Sequence, residues 1–129
     1  MPLPVPLSQA RIALVSSGGI SQTGQPPFRT GPLGDASIRV IARDADPDQL
    51  VFSHPHYDTS LGREDKEVIF PIATLKRLAS AGVIGAVAPE LPSMMGYIPR
   101  SSQLAEITAP SVLEVLQRGH VHAALFAPA

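Results

Sequence analysis

A chain of 129 residues with ten basic and eleven acidic side chains carries a formal charge of −1, which excludes the basic footprint of a nucleic-acid binder. An apolar share of 44% against a charged share of 16% describes one globular core rather than a disordered chain. No cysteine is present, so disulfides, thiolate nucleophiles and thiolate metal sites are excluded within these residues.

Residues 1–10 alternate proline with apolar side chains and lack the basic start and long apolar centre of a secretory signal. They read as a polyproline-like arm ahead of an α/β domain over 11–129. No apolar run approaches the roughly 20 residues of a membrane helix, so no membrane association is expected and the cytoplasm is the default compartment. Residues 11–15 form an apolar run that ends in Ser16-Ser17-Gly18-Gly19, the pattern of a buried strand entering a turn. Residues 20–34, dense in glycine and proline, predict a long surface loop. Strands are predicted over 37–42 and 50–54, separated by the turn-forming Asp44-Ala45-Asp46-Pro47-Asp48. Pro71 suits the first turn of a helix whose apolar face is Ile72, Leu75, Leu78 and Ala79, closed by Gly82. A strand is expected over 83–88. Thr108 is the expected N-cap of a helix with Pro110 just inside it, stopped by Gly119, and 121–126 is a final strand. The order predicts an α/β fold with a mainly parallel sheet flanked by helices.

The stretch Ser53-His54-Pro55-His56-Tyr57-Asp58 concentrates groups that titrate or ligate near neutral pH. On an extended segment His54, His56 and Asp58 share one face, the ligand set of a divalent metal site. The competing reading is structural, with Pro55 bending the chain and Asp58 making an Asx turn. Three ligands from five consecutive residues seldom satisfy metal geometry, so no cofactor is assigned and acid–base or hydrogen-bonding duty is preferred. Arg39 alternates with Ser37 and Asp35, where its guanidinium would capture a carboxylate or pair with Asp35 or Asp58. Ser17, Gly18 and Gly19 follow a strand, so their amides would cradle a carboxylate or serve only a tight turn. Ser93 and Gly96 also follow a strand, with Gly96 allowing close backbone approach and Met94 and Met95 read as packing. Glu90 is either a general base or a solvated carboxylate. His120 and His122 point outward and carry no role.

Gly34-Asp35-Ala36-Ser37-Ile38-Arg39, His54-Pro55-His56-Tyr57-Asp58, Val68-Ile69-Phe70-Pro71-Ile72, Leu75-Lys76-Arg77-Leu78, Gly82-Val83-Ile84-Gly85, Ser93-Met94-Met95-Gly96-Tyr97 and Ala123-Ala124-Leu125-Phe126-Ala127-Pro128 occur in that order. Together they resemble the selenoprotein B family of glycine, sarcosine, betaine and D-proline reductases, over nearly the whole chain. The resemblance implies a flavodoxin-like domain acting on a small amino-acid-like carboxylate. It also implies a selenocysteine or cysteine that attacks the α-carbon and expels the amine. That residue would follow a segment like 121–128, so it is expected beyond Ala129 or on a partner. In this picture Arg39 and the Gly18-Gly19 turn hold the carboxylate, His54, His56 and Asp58 manage protons, and Tyr57 donates a hydrogen bond. Two other readings stay open: a thiol-free lyase, isomerase or hydrolase using the His54/His56/Asp58 cluster, and a non-catalytic subunit of a larger complex. A homo-oligomer or partner subunit is expected in each case.

Overall fold

The computed structural model describes residues 2–54 and 60–128. Seven strands follow among them in chain order: β1 (Arg11–Ser16), β2 (Ile20–Gln22), β3 (Ile38–Ala42), β4 (Leu50–Phe52), β5 (Ala86–Val87), β6 (Glu90–Met94) and β7 (Ala123–Ala127). The helices are α1 (Ser60–Glu64), α2 (Ile72–Ser80), α3 (Ser101–Gln103) and α4 (Ala109–Arg118). β1 is the spine of the sheet. Every residue of it after Arg11 is buried, as expected of a parallel strand covered on both faces. On one side β7 runs parallel to it, with Ile12 opposite Ala123 and Ser16 opposite Ala127. On the other side β1 meets β5 beside Arg11 and Ile12, then β6, whose Ser93 lies opposite Ser16. β3 closes that side antiparallel to β6, while β2 and β4 form a separate antiparallel pair. The expected α/β architecture is therefore present, with one antiparallel strand at an edge of a mostly parallel sheet.

Ile12, Leu14, Ile41, Leu91, Phe70 and Leu75 form the centre of the core. α2 packs beside β5, and α4 against β6 and β3. Its predicted apolar face holds, with Leu75 buried, but its start is capped from outside: the Glu67 carboxylate accepts from the N–H groups of Ala73 and Thr74, each at 2.8 Å. At its end Gly82 takes φ +72°, and the Val83 N–H reaches back to the Leu78 carbonyl at 2.9 Å, which is how a left-handed residue closes a helix.

Three expectations need correction. The stretch from residue 20 is not loop from its start, because Ile20–Gln22 is β2. The strand expected over 83–88 shrinks to Ala86–Val87 and is followed by β6, which contains Pro92. Proline normally argues against a strand because it has no N–H to give. Here the Val40 carbonyl opposite Pro92 accepts from Gln25 Nε2 on the outer edge of β3, at 2.9 Å. Val40 therefore turns its backbone groups away from β6, and β3 asks no hydrogen bond of Pro92. Thr108, finally, does not cap a helix. The helical path begins at Ser101, passes through a wide π-turn at Leu104–Thr108, and continues into α4. The buried Thr108 hydroxyl donates to the Ala36 carbonyl at 2.7 Å, and the π-turn lets the path absorb Pro110. α4 does stop at Gly119, whose N–H bonds the Val115 carbonyl at 3.1 Å, and the left-handed residue that follows is His120 at φ 49°.

Candidate functional site

The carboxyl ends of β1, β6 and β7 lie side by side, the position at which open parallel sheets bind ligands. Ser16 ends β1 and its hydroxyl organises the turn that follows: it donates to the Ile69 carbonyl at 3.2 Å and accepts from the Gly18 N–H at 3.1 Å. The next amides are equally committed. Ser17 N–H donates to the Ala127 carbonyl at 3.1 Å, Gly19 N–H to the Met94 carbonyl at 2.9 Å, and Ile20 N–H to Ser93 Oγ at 2.9 Å. These amides brace the three strand ends against one another. The anion cradle expected of the Gly18-Gly19 amides is thus spent on architecture.

His54 enters this junction directly after β4, held there because the Ser53 N–H bonds the Gly19 carbonyl at 3.0 Å. It is buried, at 8% exposure. Gly96 leaves room for its ring, and Gly19 leaves room for Met95 beside it. A Cβ on Gly96 would lie 2.8 Å from His54 Nε2 and 3.2 Å from the Ser17 oxygen. A Cβ on Gly19, whose φ is +62°, would lie 2.6 Å from Met95 Sδ and 3.4 Å from the His54 nitrogen. His54, Ser17, Gly18, Gly19, Ser93 and Gly96 are therefore brought together. A glycine-walled imidazole at the strand ends is suited to giving or taking a proton from a small ligand. His56, Tyr57 and Asp58 lie outside the described residues. Among the described residues no three His, Asp or Glu side chains meet as a metal site, and the His54/His56/Asp58 set cannot be read there.

Arg39 and Glu90 have other occupations. The Arg39 guanidinium donates to the carbonyls of Pro26 at 2.6 Å, Pro27 at 3.1 Å and Ile38 at 2.9 Å, and to Ser37 Oγ at 2.8 Å. It also stacks 4.3 Å above the Phe28 ring and lies 3.8 Å from Asp35, so it clamps the glycine- and proline-rich loop along β3. Glu90 opens β6, roughly 10 Å of strand before Ser93 at about 3.3 Å per residue, and pairs with Arg118 at 2.6 Å. It belongs to the opposite end of the sheet from His54.

Asp35 completes the clamp. Burial pushes its carboxyl upward, but hydrogen bonds from the Arg29 N–H and from Ser37, aided by the Arg29 charge, outweigh that and hold it below the ordinary carboxylate value. A group depressed in the folded state stabilises above its unfolded value, and that stability is lost as pH falls through the folded value. Asp35→Asn should therefore melt below the wild type at pH 7. The gap should close as pH falls below about 4, as melting curves between pH 7 and pH 3 would show.

Two supports of the site were not apparent from the sequence. Met95, read as packing, also walls Gly19. Ser16 was passed over, although a serine closing an apolar run before two glycines is the signal of a hydroxyl-anchored turn.

Residues 3–128 match the glycine/sarcosine/betaine reductase selenoprotein B family. The chain belongs to that family. It is 32% identical over 124 residues to the D-proline reductase subunit gamma of Acetoanaerobium sticklandii, a match covering 96% of this chain and 50% of that subunit. It is 32% identical over 83 residues to the glycine reductase complex component B subunit gamma of Carboxydothermus hydrogenoformans, 61% of this chain and 19% of that subunit. The chain thus spans about half the length of the first relative and matches a fifth of the second. No solved structure matches it. The family resemblance carried by the ordered motifs is confirmed. Among the described residues no helix is long and apolar enough to cross a membrane.

Proposed function

We propose that this chain is a component of a reductase assembly that cleaves the carbon–nitrogen bond of a small amino-acid-like carboxylate. The observation that carries this reading is the convergence of His54, Gly19 and Gly96 at the strand ends of a chain belonging to the selenoprotein B family. A selenolate or thiolate attacks the α-carbon and forms a carbon–selenium or carbon–sulfur bond. The carbon–nitrogen bond breaks with its electron pair leaving on nitrogen, and the departing amine takes up a proton. His54 supplies or relays that proton, with His56 and Asp58 beside it in sequence and Tyr57 as a hydrogen-bond donor. Ser17, Gly18, Gly19, Ser93 and Gly96 wall the substrate space.

The nucleophile comes from outside these 129 residues, which hold no cysteine, either from residues that follow or from a partner subunit. Ala127 supports that placement, since its carbonyl is tied to Ser17 at the edge of the site. Arg39 and Glu90 are left out of the substrate set because of their partners.

Glycine, sarcosine, betaine and D-proline, titrated in turn onto the isotopically labelled chain, test the reading by NMR. One of them should give saturable shifts at the amides of Ser17, Gly18, Gly19 and Gly96 and at the His54 ring. Shifts absent there with all four compounds would overturn it. The absence of cysteine favours a second reading, a subunit that positions catalytic residues of another chain. In that case these compounds bind only once the companion is present.

A further inference from the structure

The arginines around the loop that precedes β3 are used unequally. Arg39 spends its guanidinium on the carbonyls of Pro26, Pro27 and Ile38. The Arg29 side chain is 80% exposed and reaches only 3.8 Å from the Asp35 carboxylate, which lies equally far from Arg39. Arg100, directly ahead of the helical path that starts at Ser101, is exposed. Among the described residues its guanidinium has neither an ion-pair nor a hydrogen-bond partner.

Arg29 and Arg100 nevertheless line one hollow of about 250 Å³, together with Gln103, Ser37, Leu33 and Ile107. Backbone packing holds its two walls in place. A Cβ on Gly34, whose φ is +67°, would lie 2.6 Å from the Tyr97 carbonyl oxygen and 2.8 Å from Pro99 Cδ, so the turn after Arg29 is seated on the chain just before Arg100. The Thr108 hydroxyl ties the same loop at the Ala36 carbonyl, and the Asp35 carboxylate holds the Arg29 N–H at 2.9 Å. The fold thus brings two cations from distant parts of the sequence to one concave space. Their fields add there, and the single nearby carboxylate is shared with Arg39.

We propose that this hollow binds a small organic anion. Its carboxylate or phosphate oxygens rest on the guanidinium forks of Arg29 and Arg100, which match two oxygens at once, with the Gln103 amide as a further donor. A compact apolar body lies against Leu33 and Ile107, which are 71% and 47% exposed. The proposal does not depend on the chemistry assigned to His54.

Isovalerate and phenyl phosphate, a carboxylate and a phosphate ester with compact apolar groups, are titrated separately onto the isotopically labelled chain at constant ionic strength, with sodium chloride as the control. One of them should give saturable NMR shifts at the Arg29 and Arg100 Nε–H groups and at the Gly34 and Gln103 amides, and which one does so identifies the oxyanion. Arg100→Gln and Arg29→Gln should each weaken that binding about tenfold or more, with far-UV circular dichroism unchanged. Leu33→Ser should weaken it about threefold. Four results would each overturn the proposal: no saturable shift from either compound, shifts that sodium chloride reproduces, binding that survives both arginine substitutions, or an affinity that Leu33→Ser leaves unaltered.

Discussion

Gly85→Val should lower the melting temperature by about 10 °C or more. Gly85 precedes β5, and its N–H together with that of Ala86 bonds the Ala10 carbonyl, at 2.9 and 3.1 Å. This pair of hydrogen bonds pins the entry of β1 to β5. The pinning brings two backbones into contact. A Cβ at position 85 would lie 2.6 Å from the Gln9 carbonyl oxygen and 2.8 Å from the Gln9 Cα, and would also meet the Gln9 carbonyl carbon. A flexible side chain yields to such an intrusion, but a backbone fixed at both ends yields only by losing its hydrogen bonds. The cost falls at the upper end of the ~1–3 kcal/mol range for overpacking, or beyond it, which for a domain of this size corresponds to that melting shift. Calorimetry of the two proteins measures it. A shift within a degree or two would show that residues 9 and 85 are not held this closely.

The second large effect is on function and leaves the fold standing. Gly96→Ala places a methyl carbon 2.8 Å from His54 Nε2. The closest atom is the far end of a side chain, so the imidazole swings aside, and the Ser17 carbonyl oxygen at 3.2 Å has to give by only a few tenths of an ångström. A catalytic group displaced by about 1 Å loses on the order of 100-fold in rate. Turnover by the assembly containing this chain should fall by that order while its melting temperature barely moves. Because Gly96 acts through His54, the pH dependence of the remaining turnover should also change. A drop in turnover with an unaltered pH profile would mean that position 96 matters only to packing.

The parts of the fold that could be read from the sequence are those in which one chemical pattern dominates. The run through Ile12, Ala13, Leu14 and Val15 has only one stable use, as a strand buried on both faces. The spacing of Ile72, Leu75 and Leu78 states a helix face directly. β6 was hidden because Pro92 argues locally against a strand, and its tolerance depends on Val40 turning its carbonyl to Gln25, a fact of pairing fifty residues away. Thr108 with Pro110 imitates a helix start, whereas the buried Ala36 carbonyl that claims its hydroxyl is invisible in one dimension.

The same division holds at the site. The histidine cluster and the two glycines could be picked out as residues, and the structure sets His54 beside Gly19 and Gly96. Strand alternation set Arg39 beside Asp35, one of the partners offered for it, and the two lie 3.8 Å apart. Its remaining partners include the carbonyls of Pro26 and Pro27, backbone groups that leave no trace in residue identity. Glu90 begins β6, at the far end of the sheet from His54, so its carboxylate pairs with Arg118.

The most direct test of the account is the rate of carbon–nitrogen bond cleavage by the complex isolated through this chain, supplied with a dithiol reductant, with wild-type chain and with His54→Ala. It is read as free amine from glycine, sarcosine or betaine and as the ring-opened amino acid from D-proline. The account predicts cleavage of one of these compounds, reduced about 100-fold or more by the substitution, in a complex that still assembles. Equal rates from the two complexes would contradict it and remove His54 from the chemistry.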